Sequence, residues 1–142
     1  MGIIKSTGSK NKAKGYRFER EFVDNLVVEF SEFPEVAAHI ERHGSVYGVN
    51  DRGDIRMGPI AWVWELKSVQ RFDLAGFMKE LEREIQAHPN AENGAVVIKA
   101  RMKQAKYAYS VLPAWRLVKL LKENYDLKRQ LQVEREIRKN SK

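Results

Sequence analysis

The sequence predicts a single α/β domain in which helices flank a mixed five-stranded sheet and a long helix ends the chain. Two stretches carry this prediction. Residues 60–67, IAWVWELK, are rich in β-branched and aromatic residues, which is typical of a strand. Residues 74–85 place apolar side chains at helical spacing after Asp73, a residue type that often caps helices. A helix in this position can serve as the crossover to a parallel strand.

The first half of the chain predicts one helix and three strands. Apolar residues recur at helical spacing from Tyr16, and Pro34 marks the expected end of that helix. Residues 36–48 carry no helical stop signal, and they predict a strand or an irregular extension. A short strand is then expected at 54–57, followed by a tight turn and the strand at 60–67. Because the connections are short, these strands are expected to be antiparallel neighbours.

The second half predicts two further strands and the final helix. Strands are expected at 95–98 and 107–112, with a basic loop between them. Pro113 suits the first turn of a helix that continues beyond Ile137. Along this helix an asparagine and four leucines fall at alternating three- and four-residue spacing, which is typical of paired helices. They are Leu117, Leu120, Asn124, Leu127 and Leu131. The alternative is a helix that packs on its own domain.

Charge is distributed unevenly along the chain. The formal net charge is +7 overall. Residues 1–20 and residues 116–142 each carry a net charge of +5, so the segment between them is negative. Such clusters suit a polyanion such as nucleic acid, and ordinary solvated surfaces are the alternative. We divide the chain into a flexible basic arm (1–13), a central domain (14–121) and a basic helical extension (122–142).

Several classes of protein are disfavoured by composition. The chain has no cysteine, which excludes disulfides and thiolate metal sites. It has no apolar run of the roughly 18 to 20 residues that a membrane-spanning helix needs, and no signal peptide at its start. A cytoplasmic protein without membrane partners is therefore the default expectation.

The strand at 60–67 carries a candidate site. Glu65 and Lys67 occupy alternate positions of the strand, so both side chains belong to one face. A hairpin around the turn at 58–59 would bring Asp54 near them. Two carboxylates in a partly dry site repel each other unless a cation binds between them, and oxygen ligands favour Mg²⁺ or Mn²⁺. By spacing alone, an ordinary half-exposed strand is the more common explanation.

Four residues, taken in order, resemble the motifs of the PD-(D/E)xK nuclease superfamily, and especially of Holliday-junction resolvases of archaea and bacteriophages. They are Glu19 in KGYRFERE, Asp54 in RGDI, and Glu65 and Lys67 in WELKS. The resemblance runs from about residue 14 to residue 121. Gly53 departs from it, because the superfamily nominally has proline before the aspartate. The resemblance implies a restriction-endonuclease-like αβββαβ core.

The resemblance also implies an activity, which is Mg²⁺-dependent hydrolysis of phosphodiester bonds in branched DNA, with Mn²⁺ able to substitute. Asp54 and Glu65 would bind the metal, and Glu19 would be a further acid at the metal. Lys67 would position the attacking water or stabilise charge on the phosphate. The symmetry of a four-way junction suits a homodimer. The implied location is the cytoplasm, which is that of the host cell for a phage protein.

Helical phase is consistent with a role for Glu19. This residue shares a helix face with Val23 and Leu26, whereas Glu21 falls on the solvated side. An acid on an inward face needs a partner. The alternative to metal binding is an ion pair with a lysine or arginine at the rim of the domain.

Further residues are candidates for binding DNA. Ser45 lies in an HGS segment that resembles a serine-bearing loop of the resolvases, and Ser68 follows the acid-x-lysine motif. The full set is Lys12, Lys14, Arg17, Ser45, Arg52, Ser68, Lys99, Arg101 and Lys103. Three other functions stay open, namely another nuclease of the same superfamily (a nickase, a flap or repair nuclease, or a restriction-type enzyme), an RNA-processing nuclease, and a basic DNA-binding protein without catalysis.

Overall fold

The computed structural model describes the backbone of residues 7–43 and 53–141, and the side chains of residues 14–43 and 53–141. Over this part of the chain it shows an α/β domain with a mixed five-stranded sheet and a long C-terminal helix, as the sequence predicts. The chain forms two compact units, Met1–Val111, which contains the sheet, and Leu112–Lys142, which contains the long helix.

The order of elements follows the predicted order with two added short helices, one at Pro34–Ala37 and a 3₁₀ helix at Ala105–Tyr107, so the strand expected at 107–112 is shorter. The elements are α1 (Thr7–Glu29), α2 (Pro34–Ala37), β1 (Ile40–Arg42), β2 (Ile55–Met57), β3 (Ile60–Lys67), α3 (Leu74–Ala87), β4 (Gly94–Ile98), β5 (Tyr109–Val111) and α4 (Ala114–Asn140). The strands lie in the order β1-β2-β3-β4-β5. The β3–β4 pair is parallel and the other three pairs are antiparallel. The structure therefore confirms that α3 is the crossover between parallel strands.

Two boundaries in the first half differ from the predicted ones. Helix α1 begins at Thr7 rather than at Tyr16. The added turns carry no apolar stripe, but their lysines and alanine favour helix formation. Pro34 opens α2 at its first turn, where proline is well tolerated, and α1 ends before it. The strand expected within 36–48 is β1, which is only three residues long.

The two faces of β3 pack against different helices. Trp64 and Leu66 belong to an apolar cluster with α1, where the ring centroids of Trp64 and Phe22 lie 5.2 Å apart. Val63 belongs to a second cluster with Leu81 of α3. Each face of the sheet therefore has its own apolar core. The acid and the lysine of the WELK segment alternate with the residues that face α1, so both lie on the face covered by α3.

An irregularity in the β2–β3 hairpin shifts its register by two residues. Met57 pairs with Ile60 across the turn. Ile55 then pairs with Trp64, where an unbroken register would pair it with Trp62. The residues before β2 are thereby carried further along β3, toward its charged end. Because the shift is even, every side chain keeps its face of the sheet.

Gly53 allows the chain to approach β3 closely at this point. Its φ is +94°, and a Cβ atom added to it would lie 2.8 Å from the carbonyl oxygen of Trp64. Proline holds φ near −65° and could not adopt this backbone. Glycine therefore suits this position in this chain, and the proline that the superfamily nominally has there would not fit.

Helix α4 extends past Ile137, as the sequence predicts, and has 27 residues, a length of about 40 Å. Three leucines of the predicted seam, Leu117, Leu127 and Leu131, are exposed. Within the described part of the chain, none of the helices combines the length and the apolar character needed to cross a membrane.

We expect Gly53→Ala to lower the free energy of unfolding by about 1–3 kcal/mol, because alanine is strained at positive φ and its Cβ would meet Trp64. Urea denaturation measures the change. Gly15→Ala is the matched control, since a Cβ at Gly15 in α1 meets no atom within 4 Å. This control should gain about 0.5–1 kcal/mol. Equal effects at the two glycines would contradict the argument.

Candidate functional site

Three glutamates from β3 and α3 meet under α3. One carboxylate oxygen from each of Glu65, Glu80 and Glu84 lies within 4.8 Å of the other two, and we call this group the carboxylate cluster. Lys67 lies at its edge, with Nζ 3.1 Å from Glu65 Oε1 and 2.7 Å from Glu80 Oε2. Glu65 is 4% exposed and Glu84 is 1% exposed. The predicted acid-x-lysine pair therefore lies together on the face that α3 covers.

Local structure holds α3 over this face. Asp73 caps the helix as predicted, because its Oδ1 accepts a hydrogen bond from Gly76 N at 3.0 Å. Glu80 and Glu84 are four residues apart, so they point to one side of the helix. The ammonium group of Lys67 also lies 5.1 Å from the ring centroid of Phe77, within the range of a cation–π contact. One helix thus supplies two acids and an aromatic ring to the site.

Burial and neighbouring charges change the proton affinity of both strand residues. Burial, the hydrogen bond with Glu84 and the negative charge of Glu84 together raise the pKa of Glu65 to about 10. For Lys67, burial lowers the pKa, but the hydrogen bond with Glu80 and the charge of Glu65 outweigh it and raise the pKa above its usual value. At neutral pH the raised pKa of Glu65 therefore keeps a proton in the cluster, and the ammonium group of Lys67 offsets part of the remaining negative charge.

The donor set of the carboxylate cluster fits a hard divalent cation. All its donors are carboxylate oxygens, the ligands that Mg²⁺ and Mn²⁺ prefer over the nitrogen and sulfur ligands typical of zinc. The side chain of Glu80 is only part-buried, so the cluster is open to solvent at Glu80. A cation that bound here would replace the proton on Glu65.

Asp54 lies beside Glu65 along β3, as the hairpin predicts. Its backbone N donates to Trp64 O at 2.7 Å, and its carboxylate Oδ2 accepts from Leu66 N at 2.7 Å. These two partners flank Glu65 in the sequence. Among the described residues, the carboxylate cluster does not include Asp54. The structure therefore brings Asp54 next to the site, with its carboxylate turned to the backbone of β3.

Glu19 lies on the other face of the sheet, with α1. Its Oε2 accepts from Arg42 Nε at 2.6 Å, and a terminal nitrogen of the same guanidinium group forms an ion pair with this oxygen. The guanidinium carbon of Arg42 also lies 4.1 Å from the ring centroid of Tyr16. This arrangement corresponds to the ion-pair alternative for Glu19. The structure does not bring Glu19 and Glu65 together.

The candidate DNA-binding residues fall in several places. Lys14 and Arg17 are exposed on α1, and Ser68 is half-buried directly after β3. Three candidates have side chains outside the described part of the chain: Lys12, Ser45 and Arg52. These three predictions therefore stay open.

The basic loop after β4 begins next to the charged end of β3. Lys99 N donates to Lys67 O at 3.0 Å, which continues the parallel β3–β4 pairing by one residue. The side chains of Arg101 and Lys103 are exposed in this loop. Lys99 is half-buried, and its Nζ lies 3.4 Å from the carbonyl oxygens of Ala100 and Lys103 in the same loop. This loop places two exposed basic side chains after the strand that pairs with β3 up to Lys67.

Sequence reasoning missed Glu80, Glu84 and Arg42. Glu84 did carry a signal, because it falls three residues after Leu81 and seven after Phe77, inside the apolar stripe of α3. A charged residue at such a position needs a partner within the fold. Arg42 carried no comparable signal, because its strand has only three residues, too few to show an alternation of apolar and polar side chains.

Comparison of the chain with protein-family models, with curated proteins and with solved structures finds no match. The resemblance to the PD-(D/E)xK nucleases therefore stays a prediction from the motifs.

Replacing Glu65 by glutamine is expected to change how the stability of the metal-free protein depends on pH. The pKa of Glu65 is higher in the folded state than in the unfolded chain, so folding takes up a proton between about pH 5 and pH 10. Stability should fall as pH rises through this window, and Glu65→Gln should flatten the dependence. Urea denaturation in EDTA across the window measures the slope. The exposed Glu29→Gln is the control, and equal slopes in wild type and Glu65→Gln would contradict the argument.

Glu19→Gln and Arg42→Gln should each lower the free energy of unfolding by about 1–3 kcal/mol, because each leaves a part-buried charged partner unpaired. The double variant should lose less than the sum of the two losses. A double-mutant cycle by urea denaturation tests this coupling, and simple additivity would count against it. A role for Glu19 at a metal would instead lower cleavage in Glu19→Gln and spare it in Arg42→Gln.

Proposed function

We propose that this protein is a Mg²⁺-dependent endodeoxyribonuclease of the PD-(D/E)xK type that cuts branched DNA, with four-way junctions as its substrate. The observation that carries the proposal is the contact of Lys67 with Glu65 and Glu80 at the edge of a buried group of three carboxylates. A lysine within hydrogen-bond reach of carboxylates that suit a divalent cation is one combination that can support phosphodiester hydrolysis. The motif order and the αβββαβ order of elements support the same assignment.

The carboxylates would hold the metal, and Lys67 would act beside it. Glu65, Glu80 and Glu84 are the candidate ligands, and Asp54, whose carboxylate accepts from Leu66 N next to Glu65, is the further candidate that the motif implies. A bound Mg²⁺ supplies Lewis acidity toward the phosphate and lowers the pKa of water. The ammonium group of Lys67 is held by Glu65 and Glu80 at the open side of the cluster, where it can stabilise negative charge on a phosphate oxygen or orient a water molecule.

Basic residues next to the cluster support DNA as the substrate. Arg101 and Lys103 are exposed in the loop that follows β4. This loop begins at Lys99, whose backbone N pairs with Lys67 O at the end of β3. Exposed arginine and lysine side chains bind phosphates of any sequence, so they suit recognition by shape and backbone charge. This kind of recognition fits a branched substrate, which is defined by its geometry.

A homodimer would match the two-fold symmetry of a four-way junction. In α4, Leu117, Asn124, Leu127 and Leu131 are exposed along the predicted seam, which a second copy of the helix could cover. Glu123 and Lys128 flank this seam at positions whose opposite charges face each other across parallel paired helices. The central Asn124 would fix the register of such a pair. A dimer of this kind would cut both strands of a junction symmetrically.

Cleavage of a labelled four-way junction tests the proposal. With Mg²⁺ we expect wild-type protein to give symmetric nicks and EDTA to abolish them. Glu65→Gln and Lys67→Met should each slow cleavage by about 100-fold or more, because the first removes a charged ligand of the metal and the second removes positive charge beside the phosphate. Glu29→Gln, at an exposed position of α1, should cleave at the wild-type rate. Thermal melting of each variant shows that the loss is not due to unfolding.

A panel of substrates separates the proposal from its rivals. Faster cleavage of a flap, a nicked duplex or a single strand than of the junction would point to another nuclease of the superfamily. Preference for RNA would point to RNA processing. Tight DNA binding that ignores Mg²⁺ and gives no product would point to a DNA-binding protein without catalysis. Wild-type cleavage by Glu65→Gln would overturn the assignment of the site.

A further inference from the structure

Met102 combines two unfavourable features in one residue. Its φ is +59°, and among the described residues no other non-glycine residue has a positive φ. Its side chain is 92% exposed although it is apolar. Lys103 N donates to Ala100 O at 3.2 Å, which closes a turn with Met102 at its third position. Turns with positive φ at this position normally carry glycine or asparagine.

The fold holds Met102 in this conformation from both sides. Ala100 before the turn and Ala105 after it are buried, so the turn is fixed at both ends. The ammonium group of Lys99 lies over the carbonyl oxygens of Ala100 and Lys103 and reinforces the turn. The methionine is thus exposed on a turn whose two ends are anchored by buried residues. Backbone strain that a fold maintains in this way is typical of functional positions.

The neighbours of Met102 indicate what it contacts. Arg101 and Lys103 flank it and are both exposed, so an apolar tip stands between two cations. On DNA such cations contact the phosphates and bring the tip to the bases. Methionine is one of the side chains that insert between base steps and unstack them. A branch point already lacks part of its stacking, so insertion there costs less than in a continuous duplex.

We propose that Met102 inserts between base pairs at the branch point of the bound DNA, as an apolar wedge held by the basic turn that follows β4. This proposal rests on the proposed function, because it takes branched DNA as the ligand. It adds a recognition element near the charged end of β3, because Lys99 at the start of this loop continues the pairing of β4 with β3 at Lys67. The wedge would favour junctions over linear duplex.

A fluorescent junction tests the wedge without requiring cleavage. A 2-aminopurine base next to the branch point becomes brighter when it is unstacked. In EDTA, saturating wild-type protein should increase this fluorescence, and Met102→Gly and Met102→Gln should lose most of the increase. Met102→Leu, which keeps an apolar side chain, should retain it. The glycine and glutamine variants should bind the junction with a Kd raised by about tenfold, toward the low end of the worth of one base–aromatic stacking contact, because methionine is not aromatic.

Two controls separate the wedge from damage to the loop. Met102→Gly should melt at or above the wild-type temperature, because glycine adopts positive φ freely. Arg101→Gln should raise the Kd and lower its salt dependence, yet keep the fluorescence increase at saturation, because it removes a phosphate contact and leaves the tip.

The outcomes distinguish this proposal from the proposed function. A wild-type protein that binds and nicks the junction without any fluorescence increase would overturn the wedge alone. A wild-type protein that does not bind the junction would overturn both. If Met102→Gly instead lost binding to phosphatidylserine vesicles and kept the full fluorescence response, the exposed tip would be a membrane contact and the wedge would be excluded.

Discussion

A carboxyl group buried between a sheet and a helix must gain a proton or a cation, and the charged end of β3 is arranged around this requirement. Glu65 lies under α3, where Glu84 contributes to a shared proton and Lys67 contributes a positive charge. Glu80 keeps Lys67 in place from the solvent side. The parallel β3–β4 pair depends on the same helix, because α3 both connects the two strands and covers the cluster.

Local signals in the sequence predicted most of the fold. The composition of β3, the Asp73 cap and the short turn before β3 were sufficient, because each depends on residues close together in the chain. Strand alternation also predicted that Glu65 and Lys67 share a face. It could not predict that α3 covers this face, because periodicity says which residues lie together and not what lies against them. Glu80 and Glu84 were missed for this reason.

The candidate acids on the two faces of the sheet have different cationic partners. On the α1 face, Glu19 is paired with Arg42, whose planar guanidinium group is always charged and makes two contacts with one oxygen. On the α3 face, Glu65 is paired with Lys67, whose compact ammonium group can move on a flexible stem. The Glu19–Arg42 pair is therefore suited to fixing the position of both side chains, whereas the ammonium group of Lys67 is suited to leaving Glu65 for another anionic partner. The motif that places Glu19, Asp54 and Glu65 in one family pattern does not reveal this division, because it depends on the long-range position of β1.

The irregularity in the β2–β3 hairpin sets the position of Asp54 along β3, and this position can change only by two residues at a time if Asp54 is to keep its face of the sheet. Each step moves the residue before β2 by about 6.8 Å along β3 and returns its side chain to the same face. A step of one residue would instead turn Asp54 toward α1 and away from Glu65. Asp54 and Glu65 can therefore stay on one face only if an insertion or deletion in this hairpin shifts the register by an even number of residues.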